Sequence, residues 1–302
     1  MSIASVLRAL KHKLGPRSLA RLPAHANALF DFRDLDLFSR FRNEAVIRGL
    51  CTNAYLGNDT AVCRVLGRYS MFVDTQDIGF STHMLLSGYW EMWVTEAVIR
   101  RVKPGMKVID CGANLGYFSL LMADLIGPEG RLDAFEPNPA IAARLTKSLA
   151  VNGYLERSTV HGSALSDTTG EALLFMPDGE PKNAFMQDAS FESHFASVKV
   201  PTVRLDDLPE AHDIDFIKID VEGAEERVWN GMEGILDSSR PLTIVLEFAA
   251  CRYADPAAFI DKITARGFRL ELIDLAAGAI PATKETILAH SPDVDQMLIL
   301  SR

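Results

Sequence analysis

The stretch Val108-Ile109-Asp110-Cys111-Gly112-Ala113-Asn114-Leu115-Gly116-Tyr117-Phe118-Ser119 constrains the fold more than any other. A short apolar run follows Pro104-Gly105 and is closed by Asp110, the pattern of a buried parallel strand. Two glycines four positions apart come next, and Leu120-Leu121-Met122 then open a helical pattern. Strand, glycine turn and helix in that order begin an α/β nucleotide-binding unit, with a ligand expected at the strand's carboxyl end. Glycine at 112 and 116 lets the backbone approach that ligand without a Cβ clash.

The spacing selects the ligand. A dinucleotide fingerprint needs G-x-G-x-x-G, whereas this loop is D-x-G-x-x-x-G and has lost the glycine that makes room for a diphosphate. A cofactor without phosphate, carrying an ammonium and a ribose diol, suits the looser loop. S-adenosylmethionine is such a ligand, and the loop favours it over NAD. Twenty residues after Gly116, Arg131–Glu136 reads as the second strand and ends in an acid, Glu136, placed to accept both ribose hydroxyls. The expected cofactor contacts are Asp110, Gly112, Asn114, Gly116, Tyr117, Phe118 and Glu136, with Ser163 and Ala164 at the end of the third strand.

A length of 302 residues allows one large or two small domains. The net charge of −9 argues against nucleic-acid binding, which needs a basic face. The charge is uneven: residues 1–102 hold 13 Lys+Arg against 9 Asp+Glu, and the remainder 18 against 31. Cys51, Cys63, Cys111 and Cys251 form no C-x-x-C pair, so the thiols read as reduced and the chain as cytoplasmic. No apolar run approaches the ~18 residues of a membrane span.

Ile3, Val6, Leu7, Leu10 and Leu14 recur at helical spacing among basic residues. This helix either lies on an anionic membrane or buries its stripe on the protein or a second subunit, the commoner fate. A second helical stretch is expected from Leu35 to Leu50, a hairpin over Val62–Val73, a loop and short helix over Thr75–Ser87, and a helix over Glu91–Val102. The division is a segment 1–85, helical with a small hairpin, and a nucleotide-binding domain 86–302. Strands are expected at Ser158–His161, Phe216–Asp220, Leu242–Phe248, Arg269–Ile273 and Met297–Leu300. Ala172–Met176 and Val198–Arg204 flank a polar loop, Pro177–Ser197, as a β excursion. Alternating strands and helices predict a doubly wound, mostly parallel sheet.

Four segments occur in order: V-I-D-C-G-A-N-L-G ending at Gly116, F-E-P-N from Phe135, V-R-L-D-D-L from Val203 and I-K-I-D-V-E-G-A-E from Ile217. Together they resemble the FkbM family of S-adenosylmethionine-dependent methyltransferases, over about Gly88 to Glu247. The resemblance implies an α/β class I methyltransferase (Rossmann-like) fold: a seven-stranded sheet, mostly parallel with an antiparallel last strand, here preceded by an N-terminal helical extension. It also implies O-methylation of sugar or polyketide-derived hydroxyls, hence a small-molecule or glycan acceptor.

Asp220 closes a buried strand at the ligand face, where an ion needs a partner or a task. It either takes the proton of the accepting hydroxyl or holds the cofactor's amine. Glu222 is placed to touch the acceptor, and Glu225 to open the next helix. Lys218 shares their alternation face, so a salt bridge is its simplest role. Asp220, Glu222 and Glu247 offer oxygen ligands to a divalent ion, although nearer electrostatic partners make a metal the less favoured reading. His83, in a loop before Gly88-Tyr89-Trp90-Glu91, is a second candidate base. Tyr89 and Trp90 either stack on a sugar or adenine ring or pack in the core, and Glu91 is a candidate for the cofactor's ammonium. Against an enzyme stands a non-catalytic cofactor-binding module, although Asp110, Glu136 and Asp220 are all present. N-methylation is disfavoured because Asp220-Val221-Glu222-Gly223 stands where N-P-P-[YF] or D-P-P-Y is expected. A homo-oligomer stays open.

Overall fold

The computed structural model describes residues 30–32, 39–176, 184–187, 194–238 and 240–302. The basic stripe of residues 1–22 and the expected helix start at Leu35 lie outside them. Helix α1 (Arg40–Leu50) precedes an antiparallel sheet of β1 (Asn53–Gly57), β2 (Thr60–Val65) and β3 (Tyr69–Asp74). The expected hairpin is β2–β3, whose residues alternate buried and half-buried. β1 is the addition; it lacks a buried face and so shows no period-two pattern.

Helix α2 (Phe80–Ser87) follows, and it contains His83, which is therefore not in a loop. The Asp77 carboxylate accepts the Gly79 and Ser81 amides at 3.0 and 2.8 Å and starts the helix. Gly88, in the left-handed region, ends it. Helix α3 (Met92–Arg101) leads to the main sheet. The proposed division at residue 85 falls inside α2, and the hydrophobic core runs across it: Ile47, Val65 and Met71 pack in the same cluster as Val108, Leu145 and Phe216.

The main elements are β4 (Lys107–Cys111), α4 (Tyr117–Leu125), β5 (Arg131–Phe135), α5 (Pro139–Val151) and β6 (Ser158–His161). A side sheet holds β7 (Ala164–Leu165), β8 (Gly170–Met176), β9 (Phe185–Gln187) and β10 (Ala196–Val203). Both β9 and the start of β10 fall where a polar loop is expected from the sequence. Then come β11 (Phe216–Ile219), α6 (Glu225–Asn230), α7 (Glu233–Asp237), β12 (Thr243–Phe248), α8 (Pro256–Ala265), β13 (Arg269–Asp274), β14 (Gly278–Pro281), α9 (Lys284–Leu288) and β15 (Gln296–Ser301).

Among the described residues the main sheet has eight strands in the order β14-β13-β15-β12-β11-β4-β5-β6. β15 runs antiparallel to both its neighbours, as expected of a class I methyltransferase sheet. The eighth strand, β14, extends the expected seven by pairing antiparallel along the β13 edge. Side-chain alternation divides the core in two. Val108, Leu132 and Phe216 face α4, α5 and the N-terminal elements. Ile109, Ile217 and Ile244 face α6 to α8. From β4 the chain winds outward to β6 and returns as β11 on the other side of β4. The crevice between β4 and β11 is therefore the topological switch point, where ligands bind in this class.

Candidate active site

A cavity of about 510 Å³ opens at that switch point, within the range of small-molecule sites. The loop after β4 forms its floor. Gly112 and Ala113 donate to the Phe135 carbonyl at 3.1 and 3.0 Å, tying the loop to β5. Gly112 has φ +76°, and a Cβ there would stand 1.9 Å from the Asp220 carbonyl oxygen. The glycine thus makes room for the protein's own backbone, where the sequence suggested a ligand.

Glu136 carries the cofactor argument. Its Oε2 accepts the Asn114 amide at 2.9 Å and its Oε1 the Asn138 amide at 2.8 Å. Each oxygen keeps a second lone pair, and the residue lines the cavity. Burial pushes its carboxyl up to about 7, against the pull of those two amides. Asn114, at φ 51°, turns its own Oδ1 to the Leu115 amide at 2.7 Å, so its side chain first serves the loop.

The other expected cofactor residues divide. Tyr117, Phe118, Ala164 and Glu91 line the cavity. The Tyr117 hydroxyl meets the Thr95 hydroxyl at 2.9 Å, and Thr95 also donates to the Trp90 carbonyl, so this tyrosine braces the wall. Glu91 adopts φ 36°, a costly conformation for a residue with a side chain. Asp110, Gly116 and Ser163 are not among the lining residues. Asp110 is fully buried; Ser119 donates to its Oδ2 at 2.5 Å, and its Oδ1 has no partner. Burial pushes this carboxyl up to about 6, opposed by Lys218 and Ser119. Asp110 therefore supports the floor from beneath.

Asp220, Glu222 and Glu247 line the cavity as well. Lys218 donates to Asp220 Oδ2 at 2.8 Å, the salt bridge expected from their shared face. Burial alone would lower Lys218, but Asp220 and then Asp110 outweigh it and hold the ammonium well above its ordinary value. Glu225 begins α6 as expected, and its Oε1 also accepts the Val221 and Gly223 amides, both at 3.1 Å. It thereby clamps the turn that presents Asp220 and Glu222.

One carboxylate oxygen each from Asp220, Glu222 and Glu247 lie within 4.8 Å of one another. Arg252 supplies the positive charge for this group: it donates to Glu247, to Glu222 at 3.0 Å, and pairs with Asp295 at 3.1 Å. Burial, then Asp220 and Glu222, raise the Glu247 carboxyl, while Arg252 works the other way. Arg252 and Asp295 carried no motif; they reach the site only because β12 and β15 are neighbours.

His83 does not line the cavity. Its ring packs edge-on against Tyr89 and Trp90 at 5.6 and 5.4 Å, and burial lowers its pKa. The aromatic pair separates. Trp90 lines the cavity beside Phe80, whereas the Tyr89 hydroxyl turns away to Arg48 at 2.7 Å. The side sheet supplies a wall that the sequence did not indicate, through Leu174, Ala184 and Met186. The R-L-D-D segment serves the fold: the Asp206 carboxylate accepts the Gly234 and Ile235 amides at 2.9 and 3.1 Å and caps α7.

The charge balance identifies what such a cavity can hold. Among the described residues its wall carries six acidic side chains (Glu91, Glu136, Asp220, Glu222, Glu247, Asp295) against Lys218 and Arg252, an excess of acid that persists with Glu136 and Glu247 raised by burial. A diphosphate would be repelled, whereas a sulfonium with an ammonium and a ribose diol fits. The methyltransferase FkbM domain matches residues 110–270, more than half of the chain. This chain belongs to the FkbM methyltransferase family. It is 30% identical over 156 residues to methyltransferase sdnD of Sordaria araneosa, covering 42% of this chain and 60% of that protein. With 31-O-demethyl-FK506 methyltransferase FkbM of Streptomyces tacrolimicus it shares 28% identity over 178 residues, 48% of this chain and 67% of that protein. A protein-L-isoaspartate O-methyltransferase of Methanothermobacter thermautotrophicus is 36% identical over 76 residues, 25% of this chain and 35% of that protein. The chain thus spans less than two thirds of the length of the first and the last of these relatives. No helix among the described residues is long and apolar enough to cross a membrane.

Proposed function

We propose that the protein transfers the methyl group of S-adenosylmethionine to a hydroxyl oxygen of a small molecule, a sugar or a glycosylated metabolite. The observation that carries this reading is one cavity lined by Glu136, by Asp220 and Glu222, and by the Trp90 ring. When bound, the cofactor supplies a methyl carbon on a positively charged sulfur, which leaves as a neutral thioether. Glu136 accepts the two ribose hydroxyls on its remaining lone pairs. The Asp220 carboxylate receives the proton of the accepting hydroxyl, leaving that oxygen a lone pair for the methyl carbon. Trp90 and Phe80 offer ring faces, and Glu222 a hydrogen-bond acceptor, to a polyhydroxylated acceptor.

The relative that methylates a demethylated oxygen of FK506 supports a hydroxyl acceptor, and the acidic wall disfavours a polyanion. The test is a cofactor-turnover assay on the full chain against nucleotide sugars, glycosides, their aglycones and an isoaspartyl peptide, with mass spectrometry of the products. A new methyl ether on the glycosylated compound is expected. A methyl on nitrogen or carbon, or a base-labile ester on the peptide, would overturn the hydroxyl reading. Turnover of aglycones alone would overturn the sugar.

A further inference from the structure

Lys218 is the third residue of β11, whose four residues are all buried. It is 2% exposed. An ammonium so placed loses its hydration at a cost of several kcal/mol, and a methionine of similar volume would avoid that cost. Its position explains what is gained. Lys218 shares a sheet face with Phe216, and its Cα pairs with Asp110 on β4. The ammonium sits 4.9 Å from the centroid of the Phe118 ring, which lines the cavity.

Two carboxylates compete for it, and the hydrogen bond goes to one. Lys218 donates to Oδ2 of Asp220, on the cavity wall, while the Oδ1 of fully buried Asp110 stays without a partner. A lysine serving only as counter-ion for the buried acid would bond Asp110. This one gives its hydrogen bond to the acid that lines the cavity. We infer that Lys218 is a positioning residue for methyl transfer, holding Asp220 as a carboxylate with Oδ2 turned inward and Oδ1 left for the accepting hydroxyl. The inference rests on Asp220 being the proton acceptor proposed above. It also gives the K-x-D spacing its reason: two residues apart on a strand, both side chains emerge on one face.

The experiment uses the full chain and the variants Lys218→Met, Lys218→Arg, Asp220→Asn and Lys218→Met/Asp220→Asn. The conservative Lys218→Arg variant keeps a cation beside Asp220 and is expected to retain turnover near the parent's. With an acceptor from the panel above, kcat in Lys218→Met falls about tenfold or more with little change in cofactor affinity. The double variant is then no slower than Asp220→Asn alone, because Lys218 acts through Asp220. Losses that multiply in the double variant, or parent-like kcat in folded Lys218→Met, overturn the role of Lys218. Full turnover in Asp220→Asn overturns the base reading itself, and the positioning role with it.

Discussion

Glu136 should make cofactor binding depend on pH in a definite direction. Its carboxyl is pushed up to about 7 by burial, although two backbone amides favour the anion. Ribose hydroxyls donate, so the bound cofactor also favours the anion, and a protonated Glu136 must lose its proton on binding. Affinity therefore rises with pH up to the midpoint and levels off above it. With a midpoint near 7, about one molecule in ten carries the anion at pH 6. The apparent dissociation constant at pH 6 is then about tenfold that at pH 8, or about 1.4 kcal/mol. Titration calorimetry in two buffers of different ionisation enthalpy reads the proton released, close to one per ligand at pH 6 and small at pH 8. Because the cofactor's own amine titrates nearby, Glu136→Gln is the control. It should bind about 1.5–3 kcal/mol more weakly at pH 8, having lost charged acceptors, and lack the Glu136 part of the pH slope. The same slope in Glu136→Gln as in the parent would refute this account.

Three further outcomes follow from the geometry. Gly112→Ala should destabilise the fold by about 3 kcal/mol or more, since a left-handed φ costs about 1–2 kcal/mol and the Asp220 backbone must also move; urea denaturation within 1 kcal/mol of the parent would contradict it. Asp206→Ala, which removes the acceptor of the Gly234 and Ile235 amides, should cost about 1–2 kcal/mol of stability while calorimetry finds cofactor affinity unchanged. Deleting residues 1–22 should leave cofactor binding intact, and co-sedimentation of the full chain with anionic vesicles at low salt tests the membrane alternative, which fails if binding is as weak as to neutral vesicles.

Local chemistry was legible from the sequence, and long-range assembly was not. The strand, glycine turn and helix from Val108, and the acid closing the next strand, depend on neighbours in the chain, and they pointed to the fold and to Asn114 and Glu136 on the cavity wall. Lys218 could be placed on a face by alternation alone, and Glu225 at the start of the next helix by its acid character. β1 was missed because it buries no face, and β14 because four residues along a strand edge carry no period. His83 was misplaced because the signal that starts α2 is the side chain of Asp77, six residues earlier, reaching the Gly79 and Ser81 amides. Arg252 was invisible for another reason. Its importance comes from three acids that the sheet order brings to it from β12, from the turn after β11 and from the approach to β15.

That assembly bears on how cofactor and acceptor sites are kept in register. The carbonyl of Asp220 occupies the space a Cβ on Gly112 would need, and the Asp220 amide donates to the Cys111 carbonyl at 3.2 Å. The loop after β4 and the backbone of Asp220 are thus built directly against each other. Lys218 and Glu225 then fix the carboxylate and its turn from behind. A group that must stand within about 3 Å of a reacting oxygen gains most from such rigidity, because small displacements remove near-attack geometry. Trp90, Met186 and Arg252 line other parts of the cavity, which in the proposed reaction receive the acceptor. Substitutions there should change which acceptor is used, whereas substitutions at Gly112 should damage both sites together.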